Sequence, residues 1–350
     1  MESINPNFIK ESKYQQKLSD DISQCLTCER KCKIANGKTG FCQTRMNIDG
    51  TIHTLVYGCI PALSNNPIEK KPLFHFHPGT YAITVGTYGC NFTCPWCQNH
   101  HISHPYNPIS NNIQREKEYL SPERLIKLAI KNHSNGTSIS FNEPTLLFEY
   151  SLDVFKLAKQ KGLYNTYVSN GYMTTEVLRY LAENGLDAIN IDIKGDADMV
   201  QKYCGADVEK IWRNAKEAKK LGVHVEITTL LIENLNTNQD TIKTISERIH
   251  EELGEDTPFH ITRSFPHYKS HEYGIIEPPS IKFLEESYEI AKKEGLIFVY
   301  LGNLYSTERE NTICPKCSTV VIKRSGFDVK IISLDTKGKC KYCGYPICIL

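Results

Sequence analysis

The sequence predicts an α/β fold built on a parallel sheet, either a barrel or a doubly wound sheet. Three observations carry this. Between Thr80 and Asn303, short β-branched or aromatic runs alternate with amphipathic stretches of helical period. The amphipathic stretches have helix starts and stops in the expected places. The unusual polar residues follow the apolar runs, where the active site of a parallel barrel gathers.

The strand candidates, in order, are Tyr81–Val85, Thr137–Phe141, Asn165–Ser169, Ala188–Ile193, Val223–Leu231, Phe259–Thr262 and Leu296–Leu301. Between them, Ser121 followed by Pro122 marks a helix start, since the serine can cap and the proline needs no donor in the first turn. Gly162, Gly185, Gly254 and Gly295 stand just past four helix ends. Ile242, Ile245, Ile249 and Leu253 fall on one face, which fits a helix laid on a sheet. Before the alternating region, Asp49 to Gly79 is rich in Pro, Gly and Asn and reads as an irregular wrap. After it, Thr307 to Leu350 has little helical periodicity and carries cysteines.

The rim that these strands define is polar. Strand one runs into Gly86-Thr-Tyr-Gly-Cys90, strand two into Asn142-Glu143-Pro144-Thr145, and strand three into Ser169-Asn170-Gly171. Strand four carries Asp192 and Lys194, strand five Thr228 and Thr229, and strand six His260, Thr262 and Arg263. An Asn-Gly or Glu-Pro alone is ordinary turn chemistry. Polar groups at the same end of six successive strands indicate a binding site.

Composition narrows the class. Among 350 residues, 41 basic side chains face 40 acidic ones, so the formal charge is +1 and nucleic-acid binding has no electrostatic support. Met1 to Tyr14 lacks the apolar core of a signal peptide, and no stretch is apolar for the roughly 18 residues that span a bilayer. A cytoplasmic protein without a membrane segment is the expectation. Fourteen cysteines in a reducing compartment point to metal rather than disulfides.

Three cysteine groups stand out. Cys90, Cys94 and Cys97 form C-x3-C-x2-C in the loop after strand one, with Trp96 before the last cysteine. Structural zinc and ordinary iron–sulfur clusters use four protein ligands, so a triad leaves one metal position open for a substrate or cofactor. Zinc closed by His100 or His101 is the alternative. Cys25, Cys28, Cys32 and Cys42 supply four ligands near the N-terminus, for structural zinc or a second iron–sulfur cluster. Cys314, Cys317, Cys340 and Cys343 form two C-x2-C knuckles with the spacing of a zinc ribbon or rubredoxin, zinc being the commoner metal there. Cys59, Cys204 and Cys348 read as single buried thiols. His75 and His77 could share a strand face, and Lys70-Lys71 is either a solvated pair or a substrate-facing cation.

With these residues assembled, the sequence resembles the radical S-adenosylmethionine (SAM) superfamily. Asn66-Pro-Ile-Glu-Lys-Lys-Pro-Leu73, Gly89-Cys-Asn-Phe92, Cys97-Gln-Asn99, Asn142-Glu-Pro-Thr145, Val168-Ser-Asn-Gly-Tyr172 and Ile191-Asp-Ile-Lys194 resemble, more narrowly, the AmmeMemoRadiSam-system proteins, relatives of the pyruvate formate-lyase activating enzymes. The resemblance implies a partial (β/α)6-type TIM barrel over residues 80–305. It also implies an extension at 1–79, with the four-cysteine site and wrap, and a zinc-ribbon or rubredoxin-like module at 306–350.

It further implies a [4Fe-4S] cluster on Cys90, Cys94 and Cys97, with SAM on the open iron. Reductive cleavage of SAM would then yield a 5′-deoxyadenosyl radical that abstracts hydrogen from an unidentified substrate. Glu143 matches the residue that holds the SAM amino group, although Phe141 and Asn142 replace the two glycines of the family motif. Ser169 and Asn170 match ribose contacts, Asp192 and Lys194 the strand-four Asp-x-Lys, and Thr229 and His260 adenine-side contacts. A flavodoxin or ferredoxin would supply the electron, and the family name implies association with AmmeMemo-type proteins. An activase of a glycyl-radical partner enzyme, and a zinc-stabilised binding protein without catalysis, are the competing readings.

Overall fold

The computed structural model describes residues 6–104, 118–304 and 308–350. Its centre is a run of seven parallel strands: β1 (Tyr81–Gly86), β2 (Gly136–Ile139), β3 (Tyr164–Ser169), β4 (Ala188–Asp192), β5 (His224–Leu231), β6 (Phe259–Arg263) and β7 (Val299–Gly302). They pair in sequence order, and the two edges of the sheet do not pair with each other. Among the described residues each crossover carries one long helix: α1 (Pro122–Lys131), α2 (Phe148–Gln160), α3 (Thr175–Glu183), α4 (Val208–Lys220), α5 (Gln239–Arg248) and α6 (Ile281–Lys293). The architecture is therefore the expected partial barrel, six βα units followed by a seventh strand.

The helix punctuation follows the sequence closely. Ser121 accepts a hydrogen bond from Arg124 N with Pro122 in the first turn. Gly162, Gly185, Gly254 and Gly295 all adopt positive φ just beyond helix ends. Ile242, Ile245, Ile249 and Leu253 are buried in the main core, so this face of α5 and the turn after it lies on the sheet.

The expected irregular wrap is partly regular. Ala62–Pro67 is a strand paired antiparallel to β1, with Leu63 opposite Val85, and it forms one edge of the sheet. Its asparagines and terminal proline look like a loop, but an edge strand with one unpaired side tolerates both. Thr51–Thr54 and Arg45–Ile48 also form strands, within a small antiparallel sheet.

The N-terminal segment packs against the C-terminal ends of the first three barrel strands. Cys28 bridges Met173, Glu29 N donates to Tyr172 O at 3.0 Å, and Thr174 Oγ1 donates to Leu26 O at 2.9 Å. Arg45, 2% exposed, grips Glu149 of α2 through both Nη atoms at 2.9 and 2.7 Å. Removing either partner of such a buried pair typically costs about 3–5 kcal/mol, so this contact fixes the segment to the barrel.

The C-terminal segment docks at the opposite end. Its strands Thr312–Ile313, Val320–Ser325 and Asp328–Ile331 form an antiparallel sheet. His77 N donates to Ile349 O at 2.7 Å, and Arg324 Nη2 donates to Phe74 O at 2.8 Å. Phe74 and His75 cross the base of the barrel, where both backbone amides donate to Glu226 of β5, at 3.0 and 2.7 Å. No helix among the described residues is long and apolar enough to cross a membrane.

Candidate active site

At the mouth of the barrel lies an open pocket of about 1140 Å³, counted out to solvent. Cys90, Cys94 and Cys97 form one wall. Facing them are Asp192 and Lys194 from the end of β4, and Thr228 and Thr262 from β5 and β6. Its size and mixed polar lining suit a nucleoside-sized ligand with room for a second molecule.

The cluster loop is held by the next crossover. Asn142 accepts from Thr87 N at 3.1 Å and donates to Gly89 O at 2.7 Å, stitching the two ends of the turn before Cys90. Gly89 sits at φ +84°, and a Cβ there would lie 2.6 Å from the Cys42 carbonyl oxygen, so only glycine fits. Asn142 borders the pocket, yet both ends of its amide serve the loop.

Glu143 organises the rim. It is 2% exposed. Its Oε1 accepts from Thr145 N, Thr145 Oγ1 and Ser169 Oγ at 3.0, 2.5 and 2.9 Å, and its Oε2 accepts from Asn170 N at 2.9 Å. Burial raises its pKa, and the four donors work against that rise. Oε2 accepts only one of these four bonds, and Glu143 lines the pocket. Ser169 reaches the pocket only through Glu143, while Asn170 lines it and passes a 2.7 Å hydrogen bond to Asn91, beside Cys90.

Asp192 and Lys194 form a 2.9 Å ion pair on the pocket wall. Burial works against the ammonium, but Asp192 and the neighbouring thiols outweigh it and hold the Lys194 pKa above the ordinary lysine value. Lys70 lines the same pocket. Lys71 is buried under the Phe141 ring at 5.3 Å; burial, and then the Lys70 charge, pull it down to about 7.

Two expected contacts lie elsewhere. Thr229 points away from the pocket and donates to Ile193 O at 2.9 Å. Alternation puts its neighbours Thr228 and Leu230 on the pocket face instead. His260 is the second residue of β6, roughly 6.7 Å below Thr262 at one strand rise per residue. It pairs with Glu226 at 2.6 Å at the base of the barrel, where two backbone amides and His224 also reach that carboxylate. Although burial alone would raise the Glu226 pKa, these donors drive it far below the usual range. His75 belongs to the same base: Nδ1 donates to Ile347 O at 2.6 Å and Nε2 meets Tyr300 Oη at 2.5 Å, so neither histidine is free to bind metal.

Cys204 is not a solitary thiol. The turn Val200–Cys204 brings its sulfur to 3.4 Å from that of Cys94. A separation of 110 residues hides this pairing from the sequence.

The three cysteine groups differ in spacing. Tetrahedral Zn–S bonds of 2.3 Å place sulfurs about 3.8 Å apart. Cys314, Cys317, Cys340 and Cys343 hold all four sulfurs within 4.8 Å of one another, with pairs at 3.4 and 3.6 Å, and so fit one metal ion. Among the described residues no other group gathers this closely, with His100 and His101 available to it or not. The three sulfurs of the central triad are not gathered in this way, and a triad supplies one ligand fewer than a closed four-ligand site.

A family model described as the radical SAM superfamily matches residues 84–245. An uncharacterized protein of Methanocaldococcus jannaschii is 40% identical over 343 residues, covering 98% of this chain and 100% of the relative. The pyruvate formate-lyase-activating enzyme of Clostridium pasteurianum is 25% identical over 46% of this chain and 66% of its own. Among solved structures, a radical SAM methyltransferase from Sphaerobacter thermophilus shares the fold with a TM-score of 0.50, at 10% identity, over 84% of this chain and 77% of that one.

Proposed function

The chain belongs to the radical SAM superfamily and is related to the pyruvate formate-lyase activating enzymes, and on that premise we propose that its pocket binds SAM against a [4Fe-4S] cluster held by Cys90, Cys94 and Cys97. The observation that carries this is the meeting of three thiols with Asp192 and Lys194 in a single pocket. When bound, the cluster and SAM supply the one-electron cleavage that yields a 5′-deoxyadenosyl radical.

The protein's own residues bind and orient. Lys194 offers a charged donor to the methionyl carboxylate, and Asp192 an acceptor to ribose hydroxyls. Glu143, through Oε2, receives the methionyl ammonium while fixing Asn170 as the adjoining wall. Thr228, whose buried Oγ1 has no partner, and Thr262 face the adenine side. Phe92 and Trp96 supply apolar cover that excludes water. The substrate enters at the open side near Lys70 and Asn303, and a low-potential donor such as a flavodoxin or ferredoxin delivers the electron.

Anaerobic reconstitution with iron and sulfide, followed by electron paramagnetic resonance of the reduced protein, tests this reading. A cluster signal that shifts when SAM is added, and that vanishes in a Cys90→Ala, Cys94→Ala, Cys97→Ala variant, is expected. A signal indifferent to SAM would overturn it.

A further inference from the structure

The N-terminal cysteines behave unlike the C-terminal ones. Cys25, Cys28, Cys32 and Cys42 line one pocket of about 360 Å³, counted out to solvent, together with Arg45 and Asn91. Their sulfurs are not drawn to within 4.8 Å of one another, as those of the C-terminal group are. One tetrahedral ion requires sulfurs about 3.8 Å apart, whereas several irons bridged by sulfide hold their thiolates farther apart.

Two buried donors also border this cavity without an acceptor outside it. Arg45 Nε has no hydrogen-bond partner although both Nη atoms do, and Asn91 Nδ2, whose Oδ1 accepts from Asn170, has none but the Cys28 thiol of this cavity. Arg45 is 2% exposed and Asn91 is fully buried. A buried donor without an acceptor costs about 1–3 kcal/mol, so two with none outside one cavity mark an acceptor within it. Sulfide and thiolate sulfurs are such acceptors, and hydrogen bonds to them tune the potential of a cluster.

The cavity adjoins the central triad. Gly89, next to Cys90, packs against the Cys42 carbonyl. Arg30 donates to Asn91 O at 2.8 Å and to Cys204 O at 3.1 Å, and Cys204 touches Cys94. The C-terminal group, by contrast, lies at the far end of the barrel.

We propose that Cys25, Cys28, Cys32 and Cys42 hold a second, polynuclear iron–sulfur cluster that passes single electrons to the central triad. One electron from a reduced flavodoxin or ferredoxin reduces this cluster, and the same electron leaves it for the central site, restoring its oxidised state with no bond or proton change. The relay rests on the radical SAM reading of the triad, while the identity of the metal does not.

The test is metal and acid-labile sulfide analysis of the full chain lacking Cys90, Cys94 and Cys97 by alanine substitution, after anaerobic reconstitution. Iron with equimolar sulfide, visible absorption and a single zinc per chain are expected. Two zinc ions and no sulfide, or no metal beyond one zinc, would overturn the proposal while leaving the central cluster untouched. Should that variant fail to fold, Cys25→Ser with Cys28→Ser in the otherwise intact chain serves. Iron and sulfide should fall by half with zinc constant, and flavodoxin-driven SAM cleavage should fall at least tenfold more than dithionite-driven cleavage. Unchanged iron, or equal losses with both reductants, would contradict it.

Discussion

Replacing Glu143 by glutamine removes one acceptor from the middle of the rim while keeping its shape. Oε1 can still serve Thr145 and Ser169, but the new amide group turns two N–H bonds toward Asn170 N, which now donates to Oε2 at 2.9 Å. A charge-assisted hydrogen bond is lost and a buried backbone donor is left unpaired, together costing about 2–4 kcal/mol. Part is returned because the neutral amide needs no desolvation, the effect that raises the Glu143 pKa. A net loss of about 2 kcal/mol is expected by urea denaturation. Because Asn170 is both a pocket wall and the partner of Asn91, SAM affinity measured by calorimetry should fall about tenfold or more, that factor corresponding to about 1.4 kcal/mol. Ser169→Ala removes a donor to Glu143 and the acceptor of the buried Gly171 N–H, and should cost about 1–3 kcal/mol with little change in affinity. Glu143→Gln protein with wild-type stability and wild-type SAM affinity would refute the role assigned to this carboxylate.

Other consequences are as specific. Lys194→Ala should weaken SAM binding about 10- to 100-fold, the worth of one charged hydrogen bond of about 1.5–3 kcal/mol, and equilibrium dialysis with labelled SAM would show it. If the C-terminal thiols hold a zinc or iron ion, a strong chelator should release one such ion per chain and lower the melting temperature, since the thiols of Cys314 and Cys340 are buried among Phe74, Phe298 and Tyr300. SAM cleavage should survive at low temperature because that module sits opposite the mouth; its immediate loss would contradict a purely structural role. Burial lowers the His75 pKa to about 4 from an ordinary 6.5, so the unfolded chain takes up a proton first as pH falls. The stability from this neutral histidine is complete above pH 6.5 and declines by about 1.4 kcal/mol per unit toward pH 4. A His75→Asn variant should show a shallower slope of stability against pH in that window, and equal slopes would sink the assignment.

How much of this was legible in the sequence varied with the range of the interaction. Strand positions, helix caps and the cysteine triad depend on neighbours a few residues apart, so alternation, Ser121-Pro122 and the stop glycines exposed them. The edge strand Ala62–Pro67 was hidden because its polar composition is permitted only by its place beside β1. Thr229 and Thr228 are chemically identical and differ only by which face of β5 they occupy, a choice made by one residue of register. His260 was misplaced because a short strand brings its first polar residue near its last in sequence, though one side-chain layer separates them. Glu143 was identified, but its four donors come from two loops and became visible only when these met. Cys204, Asn91 and Arg45 had no local signal at all, since each acquires its meaning from a partner more than 50 residues away.

On the proposed function, the pocket walled by Cys90, Cys94, Cys97, Asp192 and Lys194 cleaves SAM reductively. Chromatography of an anaerobic mixture of reconstituted protein, dithionite and SAM tests it most directly. Time-dependent 5′-deoxyadenosine and methionine are expected from the wild type and none from Cys94→Ala, whereas protein loaded with iron and sulfide that yields no 5′-deoxyadenosine would overturn the proposal.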